Sequence, residues 1–155
     1  MKRTFLNIGL LLTLVAAGAA QTNDEPKCSN ATLKGSYGLL ISGTRPAPFV
    51  PVGAPGFVGQ YEAVLGSVIQ IFDGNGNFTQ TDNVKGTTSG ITPDRPGRGV
   101  YTVNADCTSI QIVSPPGQSP ITSKGVVVDG GKEFRQFTVS PDTFMIQTIG
   151  RKMNP

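Results

Sequence analysis

The sequence predicts an all-β protein, an antiparallel up-and-down β-barrel of about eight strands. Three observations carry that expectation. Short β-prone runs rich in Val, Ile and Thr recur along the chain. Glycine and proline number 20 and 12 among 155 residues, a density that works against long helices. Most gaps between runs are short enough for hairpins, and closing a sequential meander into a barrel removes its exposed edges. A β-sandwich with Greek-key crossings is the alternative, and residues 45–61, the longest connection between strands, are where its crossing would run.

The elements follow in order. LKGSYGLLISGT (33–44) reads as the first strand, and RPAPFVPVGAPG (45–56) as a proline-rich loop. EAVLGSVIQIF (62–72) and NFTQTDNVKGTT (77–88) are the second and third strands, joined by DGNG where a hairpin turn belongs. SGITPDRPGR (89–98) reads as a loop because of its prolines and glycines, leading to a fourth strand in GVYTVNA (99–105). CTSIQIVS (107–114) is the fifth. SKGVVVD and KEFRQFTV flank Gly130 and Gly131 as another hairpin, and DTFMIQTIGR (142–151) closes the series.

Residues 1–20 carry the signature of a cleavable export signal. Lys2 and Arg3 form a basic start, Phe5 to Val15 a mainly apolar run, and Ala16 to Ala20 a small-residue end. Asn7, Gly9 and Thr13 interrupt that run, which is already shorter than the roughly 20 apolar residues of a spanning helix. Residues 21–155 are then one domain, exported to the periplasm or the cell exterior, and no later segment is suited to cross a membrane as a helix. Setting aside Lys2 and Arg3 from the 13 basic residues leaves 11 against 10 acidic ones, near +1. The pI of about 9.0 therefore overstates the case for nucleic acid, and no basic patch is visible along the chain. Cys28 and Cys107 are expected to form a structural disulfide, since an exported chain meets oxidising conditions and no CxxC spacing or histidine points to redox or zinc chemistry.

Patterning within the runs raises a second expectation. GVVVD, SVIQIF and TFMIQ place apolar side chains on both strand faces, where a barrel with water outside alternates strictly. The proline-rich loop, the N-terminal arm or a second copy of the chain are the candidates to cover such an outer wall. Scattered outward Val or Ile residues are the alternative.

CSNATLKGSYG (28–38), FDGNGNFT (72–79), GVYTVNADCT (99–108) and VVVDGGKEF (126–134) occur in this order across nearly the whole mature chain. In that layout the sequence resembles a family of small exported bacterial proteins with no established activity. The resemblance implies a small antiparallel barrel similar to lipocalin-like or allene-oxide-cyclase-like barrels. It implies no catalytic residue.

Absence of histidine removes the commonest general base, the usual hydrolase triads and most zinc sites. Glu62, beside Tyr61 at the start of the second strand, is the carboxylate in the most apolar neighbourhood, where desolvation would raise its pKa towards proton-transfer duty. A solvated rim position is its simpler reading. Glu133 and Arg135 share one strand face; if that face points inward they would orient a polar ligand head, and if outward Phe134 is buried opposite them. Tyr37 and Tyr101 each offer a large apolar surface with one polar tip, suited to a cavity or a packed core. Asp73, Asn75 and Asn77 are spaced like oxygen ligands of a calcium loop, yet Phe78 and Val84 occupy the places where an EF-hand needs Gly and Glu. A hairpin turn is the better reading, and no metal or cofactor is expected.

The function expected from these features is binding of a small, largely apolar molecule in the barrel interior or mouth, with Tyr37, Tyr61, Glu62, Tyr101 and Arg135 as candidate contacts and the proline-rich loop bordering the entrance. An isomerase or cyclase using an apolar cavity is the first alternative. A structural or interaction protein of the cell envelope, its outer wall used for homo-oligomer assembly, is the second.

Overall fold

The structure, a computed structural model, describes residues 27–47 and 61–154. The expected signal segment and residues 48–60 of the first long connection lie outside the described residues. Eight strands, β1 (Gly35–Pro46), β2 (Tyr61–Phe72), β3 (Asn77–Gly86), β4 (Gly90–Val103), β5 (Thr108–Ser114), β6 (Ile121–Val128), β7 (Glu133–Ser140) and β8 (Met145–Lys152), follow one another round a closed barrel. Every neighbouring pair is antiparallel, and β8 pairs with β1 to close the sheet. The up-and-down barrel expected from the sequence is the observed fold, without a Greek-key crossing.

β4 is longer than its sequence suggests: residues 90–98, expected as a loop, are strand. Two devices accommodate the prolines. Asp82 pairs with Arg95 and Val84 with Thr92, so Pro93 and Asp94 together oppose Asn83 in a bulge, where Asp94 takes φ 48° and donates its N–H to Asn83 Oδ1 at 3.1 Å. Tyr101 donates its N–H across to Gly76 on the β3 side, so by strand alternation the Pro96 nitrogen faces the β5 side. The pairing of β5 ends there at Ser114 opposite Arg98, and a missing donor at Pro96 costs no ladder bond.

The β2–β3 hairpin is built from FDGNGNFT. Phe72 pairs with Phe78, and Gly74 and Gly76 supply the positive φ that the turn requires. Asp73 Oδ1 accepts the N–H groups of Asn75 (2.7 Å) and Asn77 (3.0 Å), while Oδ2 accepts the Asn77 side-chain amide at 2.9 Å. Hydrogen bonds from the Asn77 side chain and backbone, with that of Asn75, hold the Asp73 carboxyl below its usual range. Its oxygens fix the turn.

One end of the barrel is closed by the N-terminal arm. Cys28 and Cys107 form a disulfide across a sequence separation of 79. The 3₁₀ turn Asn30–Leu33 then lies over the opening. Asn30 accepts twice: Oδ1 from the Val103 N–H at 2.7 Å and the backbone oxygen from the Tyr101 hydroxyl at 2.9 Å. Leu33 caps an aromatic layer centred on Phe72, whose ring lies 4.9 to 5.8 Å from those of Tyr101, Tyr37, Phe78 and Phe134. Gly99 and Gly150 point inward beside this layer, where an added Cβ would meet the rings of Phe78 and Phe134. The rings pack because these positions are glycine. This end is core.

The opposite end carries the β3–β4, β5–β6 and β7–β8 connections and the two residues, Pro46 and Tyr61, from which the long connection departs. The outer wall is apolar in places, as the two-faced runs suggest: Leu40 is 60% exposed, Ile69 50% and Ile149 39%, with Leu40 and Ile149 directly paired. Among the described residues no helix is long and apolar enough to cross a membrane. The disulfide is compatible with an exported protein.

Candidate functional site

Above the aromatic layer the inward positions change character. Gln70 of β2, Gln80 and Asp82 of β3, Arg95 of β4, Gln111 of β5 and Gln136 of β7 each occupy the inward phase of their strand, and they form a polar floor. Over it lies a cavity of about 90 Å³, walled towards the mouth by apolar side chains including Leu39, Val64, Val84, Val113, Phe144 and Ile146. At roughly 30 Å³ per water, as in the liquid, that is room for about three waters or one small organic molecule.

Strand register assembles the floor. Gln70 pairs directly with Gln80, and Asp82 with Arg95. Arg95 meets Asp82 with two hydrogen bonds, Nε to Oδ1 at 2.9 Å and Nη2 to Oδ2 at 3.0 Å. Asp82 Oδ2 also accepts from Gln80 Nε2 at 3.0 Å, and Gln80 Oε1 in turn accepts from Gln70 Nε2 at 2.9 Å. On the other side Gln136 Nε2 reaches Gln111 Oε1 at 3.4 Å. Two inward glycines make the room: a Cβ at Gly97 would press on the Gln80 side chain, and one at Gly125 on Gln136.

The floor is not fully satisfied. Gln70 Oε1, Gln111 Nε2 and Gln136 Oε1 are buried with no hydrogen-bond partner. A buried polar atom without a partner costs on the order of 1–3 kcal/mol, so such atoms are rare in packed cores. Here three belong to residues that line one cavity.

A second polar cluster sits at the mouth. Arg45 pairs directly with Glu62 and donates from Nε to Oε1 at 2.7 Å, and from Nη2 to Ser89 Oγ at 3.0 Å. Glu62 also accepts from the Ser89 hydroxyl at 2.9 Å and from the N–H groups of Ser89 (2.9 Å) and Thr88 (3.1 Å). Gly86 is required beside it, because a Cβ there would land on the Glu62 carboxylate and the Ser89 hydroxyl. Burial pushes the Glu62 pKa up, but the Ser89 amide, Arg45, the Ser89 hydroxyl and the Thr88 amide outweigh it and hold the carboxyl at about 2. Neither reading of Glu62 from the sequence holds: the side chain is buried rather than solvated at the rim, and its carboxyl is held low rather than raised towards proton transfer.

The five residues singled out in the sequence are spread over the barrel. Tyr37 and Tyr101 belong to the aromatic layer, their hydroxyls donating to the backbone oxygens of Gly131 and Asn30. Burial, followed by the neighbouring Tyr101, raises Tyr37 to about 12. Tyr61 is exposed at the mouth. Arg135 stands on the outer wall, its side chain 64% exposed, donating to Glu133, which also accepts from Arg151. The inward option for the Glu133/Arg135 face is therefore overturned: Phe134 takes the inward phase and Phe137 follows the charges outward. Glu62 is buried, but its partner Arg45 is the one that lines the cavity.

The floor itself escaped the sequence reading, although a signal for it exists. In Gln70-x-Phe72, Phe78-x-Gln80 and Phe134-x-Gln136 a glutamine shares phase with a buried aromatic, which places an amide inside the barrel. Arg95 was hidden by the apparent loop at 89–98.

No protein-family model matches the chain, and neither a curated protein nor a solved structure is detectably similar to it. The barrel agrees with the resemblance drawn from the sequence as far as architecture goes.

Proposed function

We propose that the barrel is an exported binding module that takes one small amphiphilic molecule through its mouth. The apolar body of the ligand rests against Leu39, Val64, Val84 and Ile146, and its polar end reaches the glutamine floor. The observation that carries this reading is the set of three unpartnered amide atoms at the base of a cavity walled by apolar side chains. Compared with the largely apolar ligand expected from the sequence, the floor adds a polar requirement at one end.

An isomerase or cyclase would need an acid or base in the cavity. Glu62, at the mouth, holds its proton-free form to about pH 2 and spends both oxygens on four donors, and the Asp82 carboxylate in the floor spends both of its oxygens on Arg95 and Gln80, which favours binding over proton transfer.

The test is a titration of the ¹⁵N-labelled protein with 1-hexanol, followed by amide shifts. Shifts concentrated at Val68, Val84, Gln111 and Thr148 support the proposal. Shifts confined to the outer wall around Leu40 and Ile149, or none at saturation, contradict it.

A second reading, assembly into a homo-oligomer, is favoured by the adjoining exposed Leu40, Ile69 and Ile149. Sedimentation equilibrium decides it: Leu40→Ser with Ile149→Ser should dissociate an oligomer, and a wild-type chain that sediments as a monomer removes the reading.

A further inference from the structure

Resting on that reading of the cavity as a ligand site, we infer that the floor selects a neutral polar group able both to donate and to accept a hydrogen bond, as in an alcohol or a primary amide, and disfavours a carboxylate or an ammonium group.

The selectivity begins at Asp82. Its carboxylate, ion-paired with Arg95, only accepts hydrogen bonds, so Gln80 must turn its NH₂ group towards it. That leaves Gln80 Oε1 facing β2, and Gln70 must in turn present its own NH₂ group there. Turning either amide round would set oxygen against oxygen. The outcome is fixed by the ion pair two residues away: Gln70, which lines the cavity, is left with an acceptor, Oε1, that is buried and unpartnered. A ligand group that meets it must donate.

The opposite side supplies the complement. Gln136 and Gln111 touch no charged anchor in the floor network, and they leave one donor, Gln111 Nε2, and one acceptor, Gln136 Oε1. Reversing both amides together again leaves one donor and one acceptor, so the ligand always finds an N–H to accept from. A group that only accepts satisfies neither Gln70 nor Gln136, and one that only donates leaves the Gln111 N–H orphaned.

Formal charge is excluded by the same inventory. Asp82 is matched by Arg95, and Arg45 by Glu62. No unmatched charge among the described residues lines the cavity, so a charged ligand head would lose its hydration without gaining a counter-ion.

Four probes of equal chain length test this with the wild-type protein at pH 7: 1-hexanol, hexanamide, hexanoate and hexylammonium, with affinities measured by amide-shift titration. The alcohol and the amide should each bind at least fivefold more tightly than either ion. Gln70→Leu, checked for native folding by circular dichroism, should reduce that advantage by more than half. A smaller preference in the wild type, or a reversed order, overturns the inference while leaving the cavity as a binding site. An unchanged preference in folded Gln70→Leu overturns the role given to the Asp82–Gln80–Gln70 relay. If none of the four binds, the binding reading itself fails.

Discussion

Arg95 and Asp82 stand opposite each other on β4 and β3 and join through two near-parallel hydrogen bonds inside the barrel. Both side chains are largely withdrawn from water, at 16% and 4% exposure. A pair of this kind contributes less by its attraction than it costs when broken, because the survivor is left charged and unsolvated. Arg95→Leu should therefore destabilise the protein by about 3–5 kcal/mol in urea unfolding. The double variant Asp82→Asn, Arg95→Gln should cost at least about 1 kcal/mol less than the sum of its single variants. Additive costs would mean that the two residues act independently.

The mouth network sets a pH dependence. An unfolded Glu62 takes up a proton near its ordinary value of 4.5, whereas the folded chain resists until about 2. Between those values the unfolded state binds more protons, so folding stability rises with pH. The contribution is fully present above about pH 5 and is lost as pH falls through the folded value; it is on the order of 3 kcal/mol. Glu62→Gln should flatten the acid limb of the stability curve between pH 5 and 2 and lower stability at pH 7. An acid limb of unchanged slope in that variant would show that other groups govern it.

The disulfide joins the arm to the β4–β5 turn and closes a long loop. The chain-entropy argument assigns it on the order of 4 kcal/mol for the 79-residue separation. Cys28→Ala with Cys107→Ala should lower the melting temperature by roughly 10 °C or more. Hydrogen exchange should also accelerate at the Val103 N–H, which Asn30 holds. A melting temperature within 3 °C of wild type would place the arm's hold in Asn30 and Leu33 instead.

Much of the architecture was legible because it is written in local chemistry. The turn at 73–76 needs glycine at positive φ and an Asp to collect amides, and FDGNGNFT states both. The Cys28–Cys107 bond followed from there being one pair of cysteines in a chain with an export signature. Residues 89–98 misled because proline normally ends strands; their acceptability depends on where β5 stops, a tertiary fact. The candidate site was less legible for a related reason. Gln70, Gln80, Asp82, Arg95, Gln111 and Gln136 come from five strands and meet only through barrel closure and register. Tyr37 and Tyr101 were visible as interior residues, but which end of the barrel is filled depends on Leu33 and the arm that covers it. Glu62 looked like a carboxylate in apolar surroundings until Thr88 and Ser89, 26 and 27 residues away, turned their amides to it.

The proposed seat of a ligand's polar end is the glutamine floor. The most direct measurement is a crystal structure of the protein soaked in 1-hexanol. Density for the alcohol is expected in the cavity, its oxygen about 3 Å from Gln70 Oε1 and within reach of Gln111, its alkyl chain among Val64, Val84 and Ile146. An alcohol found only on the outer wall beside Leu40 and Ile149, or a floor whose glutamines have closed on one another and filled the space, would contradict it.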